Sequence, residues 1–233
     1  MQSIICILQV LNNYNNWGYT MKTYKTIALV SSLSLVTLFT SINVQADGNR
    51  YDLPRNYNSE ISAAKAYILT NHNKGNVEKA DFANAVLIDV RTVKEYGAGH
   101  PPKSSNIPFP HIHSRPNKSD YIGQNPEQFV NDVISAFPDR STPILTLCRT
   151  GYRSVLAANL LAAAGYSNVK NIWQGFVGKT KVDTAGNILD LNNNGVDGDA
   201  GHLDGWSGYQ ELPSSTKLLP QLIYAPYEYL YYE

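Results

Sequence analysis

Cysteine is scarce in this chain, with only Cys6 and Cys148 among 233 residues. So few thiols exclude a disulfide-stapled scaffold and any four-cysteine zinc site. An excess of charge of one sign is missing too. The 19 Lys and Arg balance the 19 Asp and Glu, so the chain lacks the basic surplus of a general nucleic-acid binder. Phenylalanine is sparse, 6 against 16 tyrosines, which makes the aromatic content mostly amphipathic. Charged residues are few as well, 16% against 43% hydrophobic, and that balance excludes a disordered chain. The length suits one domain of ordinary size, able to bury a core without staples.

Long apolar runs are also absent. The longest, Ile27 to Phe39, is interrupted by Ser and Thr and is too short to span a bilayer well. Lys22 and Lys25 precede it and Val44-Gln45-Ala46 follow it, the basic start and small-residue exit of a secretory signal. Residues 1–46 are therefore expected to be a signal segment. Met21 is its better start, which would leave 1–20 untranslated. The expected location is periplasmic or secreted, with no stable membrane association after cleavage. Removal of that segment leaves 187 residues, 17 basic against 19 acidic, and a single cysteine. A lone thiol in an exported chain has no internal disulfide partner, so Cys148 is either buried and inert or chemically active.

Beyond the signal, the polar, proline-containing stretch 47–59 suggests a linker. The spacing of Ile61, Ala64, Tyr67 and Ile68 predicts a helix from Glu60 to Thr70, capped by Ser59. A loop over 71–79 leads to an apolar run at 85–88 that suits a buried parallel strand. Thr92 to Tyr96 should form a helical turn, and Asn106 to Phe109 an extended piece. Pro126 to Phe137 is a helix with proline in its first turn, and Ile144 to Leu147 a second buried strand. Tyr152 to Ala164 is an Ala/Leu helix closed by Gly165, and Val169 to Trp173 a third strand. Alternating strand and helix predict an α/β domain, a central mostly parallel β-sheet flanked by helices on both faces. An Asp-, Asn- and Gly-rich insertion occupies 178–204. A Tyr-rich tail, 214–233, carries Leu222 and Ile223 and should pack back on the domain.

The chemistry centres on Cys148-Arg149-Thr150-Gly151-Tyr152-Arg153-Ser154, which joins the end of a buried strand to the start of a helix. That placement sets the sulfur before free backbone N–H groups and the positive end of a helix dipole. Arg149 and Arg153 add positive charge, and Gly151 lets the loop curl tightly. The pattern favours negative charge on the sulfur and suits a nucleophilic cysteine whose product is itself an anion.

These residues resemble a rhodanese-like (sulfurtransferase) domain, over about 60–213. Leu87-Ile88-Asp89-Val90-Arg91 with Glu95-Tyr96 and Gly99-His100 is similar to the family's first signature. Asn106-Ile107-Pro108 follows at the expected distance, and the Cys148 run is similar to the active-site loop. Gly165-Tyr166, Trp173-Gln174-Gly175-Phe176, Gly205-Trp206 and Leu212-Pro213 come in the family's order. The chain departs at His100-Pro101-Pro102-Lys103-Ser104, where the family usually has a branched apolar residue and a Gly-Ala pair, and in its longer 177–204 connection.

The resemblance implies a two-step transfer that needs no cofactor. Cys148 attacks the outer sulfur of a small anionic donor such as thiosulfate, and a thiol or cyanide takes the sulfur from the persulfide. Arg149, Thr150, Gly151, Tyr152, Arg153 and Ser154 would hold the anions, with Arg149 steering the donor at the mouth and Arg153 stabilising the persulfide. Asp89, Arg91, Glu95 and His100 would serve as structural signature residues. One rival reading is a sulfur-carrying or non-catalytic binding module. Another is a cysteine-dependent phosphatase or arsenate reductase. Cys148 to Arg153 spans six residues, and phosphatase relatives have one more to admit a larger oxyanion.

Two metal patterns complete the reading. Asp190, Asn192, Asn194, the Val196 carbonyl and Asp199 have the alternating oxygens and central glycine of a calcium loop's first half. Position twelve of that loop is Gly201 rather than Glu, so a structural calcium ion would draw on other carboxylates. His111 and His113 lack a third zinc ligand in sequence, and His113 or Arg115 would instead rim the substrate mouth. Gly178-Lys179-Thr180 fails as a nucleotide loop because its opening position is Trp173.

Overall fold

The computed structural model describes residues 49–71, 84–191, 193–196, 199–208 and 212–233. The signal segment with Cys6, most of the 71–79 loop and Asn192 lie outside them. Apolar runs make the sheet: β1 (Ser59–Ile61), β2 (Val86–Asp89), β3 (Ser105–Asn106), β4 (Ile144–Leu147) and β5 (Val169–Ile172). All pair in parallel, in the order β1-β5-β4-β2-β3. Helices α1 (Ala63–Asn71), α2 (Val93–Gly97), α3 (Pro126–Ala136) and α4 (Tyr152–Ala163) lie between the strands in sequence. The α/β expectation holds.

β4 is central and wholly buried, so its side chains alternate between two apolar layers. Ile144 and then Cys148 face a core with Phe129 and Val133 of α3 and Leu156 and Leu161 of α4. Leu145 and Leu147 face a second core with Ala63, Ala66 and Leu69 of α1 and the fully buried Trp206. Helices therefore cover both faces, and the chain leaving β4 must exit where the two layers end. That exit carries Cys148.

The N-terminal part differs from its sequence reading. Ser59 to Ile61 is an edge strand in register with Lys170 to Ile172, and the helix starts only at Ala63. Its capping side chain is Ser62, whose Oγ accepts the Lys65 N–H at 3.1 Å. Pairing with β5 overrides the helical spacing, as Glu60 accepts from Asn171 Nδ2 at 2.8 Å across the two strands. The stretch expected to be a linker is anchored as well. Arg50 is 2% exposed and paired with Asp204 at 2.6 Å.

The tail packs back as expected. Ser215 pairs with His100 through two backbone hydrogen bonds of 2.9 and 2.8 Å. Ile223, Tyr224 and Leu230 are buried, and Leu230 lies in a 3-10 segment, Ala225–Tyr231. Among the described residues no helix is long and apolar enough to cross a membrane.

Candidate active site

At the end of β4 the chain turns through Cys148 to Gly151 and enters α4. Gly151 sits at φ 91°, the left-handed region that a side chain disfavours. A Cβ there would also lie 2.1 Å from the Trp173 carbonyl oxygen, so only glycine fits. This curl brings the Gly151 N–H to 3.1 Å from Cys148 Sγ. The Ser154 hydroxyl stands 3.4 Å from the same sulfur and 3.2 Å from the Gly151 carbonyl, with one proton to give to either. Cys148 is 1% exposed. Its sulfur therefore faces donors and the start of a helix, an arrangement that stabilises sulfur-centred negative charge.

The turn after β5 is the floor of the loop. Phe176 N–H donates to the Cys148 carbonyl at 2.8 Å, and Val177 and Gly178 N–H donate to the Arg149 carbonyl at 2.9 and 3.0 Å. Gly175, at φ 76°, passes so close that a Cβ would meet Arg149 and Thr150 backbone atoms at 2.6–2.7 Å. A second support stands beside it. Asp89 and Arg91 form a buried pair, with Arg91 Nη2 2.6 Å from Asp89 Oδ2. Arg91 also donates to the Gly99 carbonyl at 2.7 Å and lies 4.0 Å over the Phe176 ring. Asn106 Nδ2 donates to the Asp89 and Arg91 carbonyls at 2.8 and 2.9 Å, locking β3 to the pair.

Glu95 joins this framework to α4. It closes a capping box with Thr92 at the start of α2, and its two oxygens meet Arg153 Nη1 and Nη2 at 2.8 Å each. Burial would raise its pKa, but the Arg153 charge and hydrogen bonds outweigh that and hold it at about 2. Burial likewise disfavours the Arg153 charge, and Glu95 overcomes it and raises the guanidinium further. His100 stacks on Tyr96 with ring centroids 3.8 Å apart, and burial lowers its pKa.

A family model, Rhodanese-like domain, matches residues 41–180, more than half of the chain. The chain belongs to the rhodanese-like domain family. An uncharacterized protein of Rickettsia prowazekii is 36% identical over 100 residues, covering 42% of this chain and 74% of the relative. The thiosulfate:glutathione sulfurtransferase of Saccharomyces cerevisiae is 33% identical over 85 residues, covering 36% of this chain and 57% of that protein. Among solved structures, Rv0390 from M. tuberculosis aligns with a TM-score of 0.45 at 23% identity, covering 69% of this chain and 99% of that one.

Within this rhodanese-like domain the expected site residues take different positions. Asp89, Arg91, Glu95 and His100 form the hydrogen-bonded framework described above. Arg149 is exposed, and Thr150 is half-buried. Tyr152 packs its ring into the core at 9% exposure, which leaves its N–H in the first turn of α4 as its offering to an anion. Arg153 was expected to stabilise the persulfide. Each of its terminal nitrogens gives a hydrogen bond to Glu95, and its positive charge lies close enough to interact with Cys148.

Beside the loop lies a cleft of about 480 Å³. Cys148 does not line it, but Arg149 and Arg153 do, together with Glu95, Lys94, His113, Arg115 and Lys118. His113 and Arg115, expected at the rim of a substrate mouth, line this cleft, which Cys148 does not reach. Lys94 and Lys118 carried no signal in the sequence beyond being charged. Sequence reasoning also missed the clamp made by Arg50. Its Nη1 donates to the Trp173 and Gln174 carbonyls at 3.1 and 3.3 Å, and its Nη2 meets Asp204.

The centre of the insertion is held by its own groups. Asp190 Oδ2 accepts the Gly195 N–H at 2.7 Å, and Asn194 Nδ2 donates to Asp199 Oδ2 at 2.8 Å. The Val196 carbonyl lies 2.8 Å from His202 Nε2. With Asn192 outside the described residues, the calcium expectation rests on sequence alone. Among the described residues no group of three or more His, Cys, Asp or Glu is placed to hold a metal ion.

Proposed function

We propose that the chain is an exported sulfurtransferase with Cys148 as its persulfide carrier. The Cys148 thiolate attacks the sulfane sulfur of thiosulfate, the S–S bond of the donor breaks, and sulfite leaves with the bonding pair. Cys148 then carries a persulfide anion. A thiolate or cyanide attacks the outer sulfur, the Cys148 S–S bond breaks, and Cys148 departs as a thiolate. Each step conserves charge and needs no outside oxidant or reductant. The observation that carries this reading is the sulfur set against the Gly151 N–H at 3.1 Å and the Ser154 hydroxyl at 3.4 Å, where an anion is stabilised.

The printed activity of the yeast relative, thiosulfate:glutathione sulfurtransferase, supports the same class of reaction. The engagement of Arg153 by Glu95 weighs against the phosphatase reading, since such chemistry asks the loop arginine to hold a phosphoryl group in its fork. Mass spectrometry of the protein after thiosulfate treatment tests the proposal. A gain of the mass of one sulfur on Cys148, lost on addition of cyanide, is expected. An unmodified Cys148, or turnover of p-nitrophenyl phosphate in its place, would refute it.

A further inference from the structure

The turn that floors the Cys148 loop is itself held from behind, by a residue far from the catalytic run in sequence. Arg50 is buried, and its guanidinium faces the turn after β5. Nη1 donates to the Trp173 and Gln174 carbonyls at 3.1 and 3.3 Å, and Nη2 to Asp204 Oδ2 at 2.6 Å. Its Cζ lies 4.9 Å from the centre of the Trp173 ring. A guanidinium fork divided between a carboxylate and two carbonyls fixes the geometry of all three. The Arg50 backbone is tied down in turn. Its carbonyl accepts from Arg55 Nη2 at 2.5 Å, and Arg55 Nε donates to Glu60 of β1 at 2.7 Å.

The contact reaches the sulfur through Gly151. A Cβ placed on that glycine would lie 2.1 Å from the Trp173 carbonyl oxygen and 3.2 Å from Arg50 Cδ, so the three groups pack directly together. The same Gly151 turns its N–H to Cys148 Sγ at 3.1 Å. The Trp173–Gln174 turn then runs on into Phe176, Val177 and Gly178, whose N–H groups hold the Cys148 and Arg149 carbonyls.

Asp204 explains why a cation is tolerated there. It is buried and takes the Lys179 N–H at 2.7 Å and Lys181 Nζ at 3.0 Å as well as Arg50. Burial would raise its pKa, but the hydrogen bonds from Arg50, Lys179 and Lys181 outweigh that and lower it. Asp204 closes the 178–204 insertion and lies beyond the residues that the family model matches.

We infer that Arg50, anchored by Asp204, is a positioning residue for the sulfur transfer, holding the Trp173 turn against Gly151 and so keeping the Gly151 N–H on the Cys148 sulfur. The inference rests on the sulfurtransferase reading and adds to it a device that sets the geometry of the loop. The long insertion thereby gains a task. It supplies the carboxylate that lets a guanidinium be buried behind the loop.

Arg50→Gln and Arg50→Lys test this. Glutamine removes both charge and fork, whereas lysine keeps the charge but cannot grip two carbonyls and a carboxylate together. Amide hydrogen exchange followed by NMR should be about tenfold faster at Gly151 in the glutamine variant and about threefold faster in the lysine variant. A merely structural residue would instead speed the β4 amides and leave Gly151 as it was, or move both in step. Thiosulfate:cyanide turnover, referred to the folded fraction by near-ultraviolet circular dichroism, should lose about tenfold and about threefold in kcat, with the thiosulfate KM within about twofold. Exchange at Gly151 that is unchanged or only matches β4, an unaltered kcat, or a loss confined to KM would overturn the inference. Should the glutamine variant not fold, the lysine variant decides by the same two readouts. If the unaltered protein transfers no sulfur, the sulfurtransferase reading falls, while exchange at Gly151 still decides whether Arg50 holds the loop.

Discussion

The Cys148 loop and the insertion at 178–204 draw on similar residues, polar side chains and glycines in the left-handed region, but they are secured in opposite ways. The Cys148 loop is held from far away in sequence. Its carbonyls accept N–H groups from Phe176, Val177 and Gly178, and Arg50 and Glu95 reach it or its supports from the N-terminal side. The turns of the insertion around Asp183 and Asp190 are held by near neighbours, while its ends pair with each other and with Arg50. Asp183 accepts from Ala185 and Asn187, and Asp190 from Gly195, all within five residues. Its apolar residues stay out of the core, Ile188 at 61% and Val182 at 55% exposure. One loop is thus built into the cooperative fold, and the other is a local structure attached to it.

Substitutions should separate the two regions sharply. The largest effect is on activity. Cys148→Ser should reduce thiosulfate:cyanide sulfur transfer to background while near-ultraviolet circular dichroism stays native, and measurable turnover in that variant would break the comparison at its root. Next comes Gly151→Ala. Its new Cβ meets the Trp173 carbonyl at 2.1 Å in a disfavoured backbone region, so urea melts should show a loss of about 3 kcal/mol or more. Gly195→Ala in the insertion meets nothing within 4 Å, and only its positive φ opposes the change, for about 1 kcal/mol. Equal losses at the two glycines would show that the insertion is as tightly integrated as the loop.

Glu95→Gln leaves the guanidinium of Arg153 with half of its pairing and should cost about 1–3 kcal/mol. The sign of its pH dependence follows from a folded pKa of about 2 against about 4.3 unfolded. The carboxylate stabilises the fold above the unfolded value, and that contribution is lost as pH falls toward 2. The variant should therefore show a flatter stability profile below about pH 5.

The smallest expected effect contrasts two histidines. Burial lowers the pKa of His100, so its contribution is present above about 6.5 and is lost as pH falls through its folded value. His202 is raised by the Val196 and Leu189 carbonyls, so its contribution is present below about 6.5 and is lost as pH rises through its folded value. His100→Gln and His202→Gln should tilt stability-against-pH profiles in opposite directions, and parallel tilts would refute that assignment.

Much of the fold was legible because its signals are short in range. The apolar runs of β2 and β4, the proline in the first turn of α3, and the glycine after α4 each declare themselves within a dozen residues. The Cys148 loop was equally legible, since its cysteine, glycine, serine and arginines are consecutive or nearly so. Its neighbours were not. Ile61 opens a helical spacing with Ala64, Tyr67 and Ile68, and only the presence of β5 alongside makes Ser59 to Ile61 a strand. Nothing near Arg50 in sequence distinguishes it from a linker arginine until Asp204, 154 residues on, is brought against it.

By itself, then, the sequence determined the layered α/β architecture and the setting of Cys148, because both depend on periodicity and on side chains a turn or two apart. The tertiary structure alone decided which charges are paired and which line the cleft beside the loop. Arg153 is committed to Glu95, 58 residues away, while Lys94 and Lys118 come from separate segments to line one cleft. Electrostatic pairing acts over a few ångströms of space and takes no account of distance along the chain. Those pairings could be assigned only once folding had fixed which side chains meet.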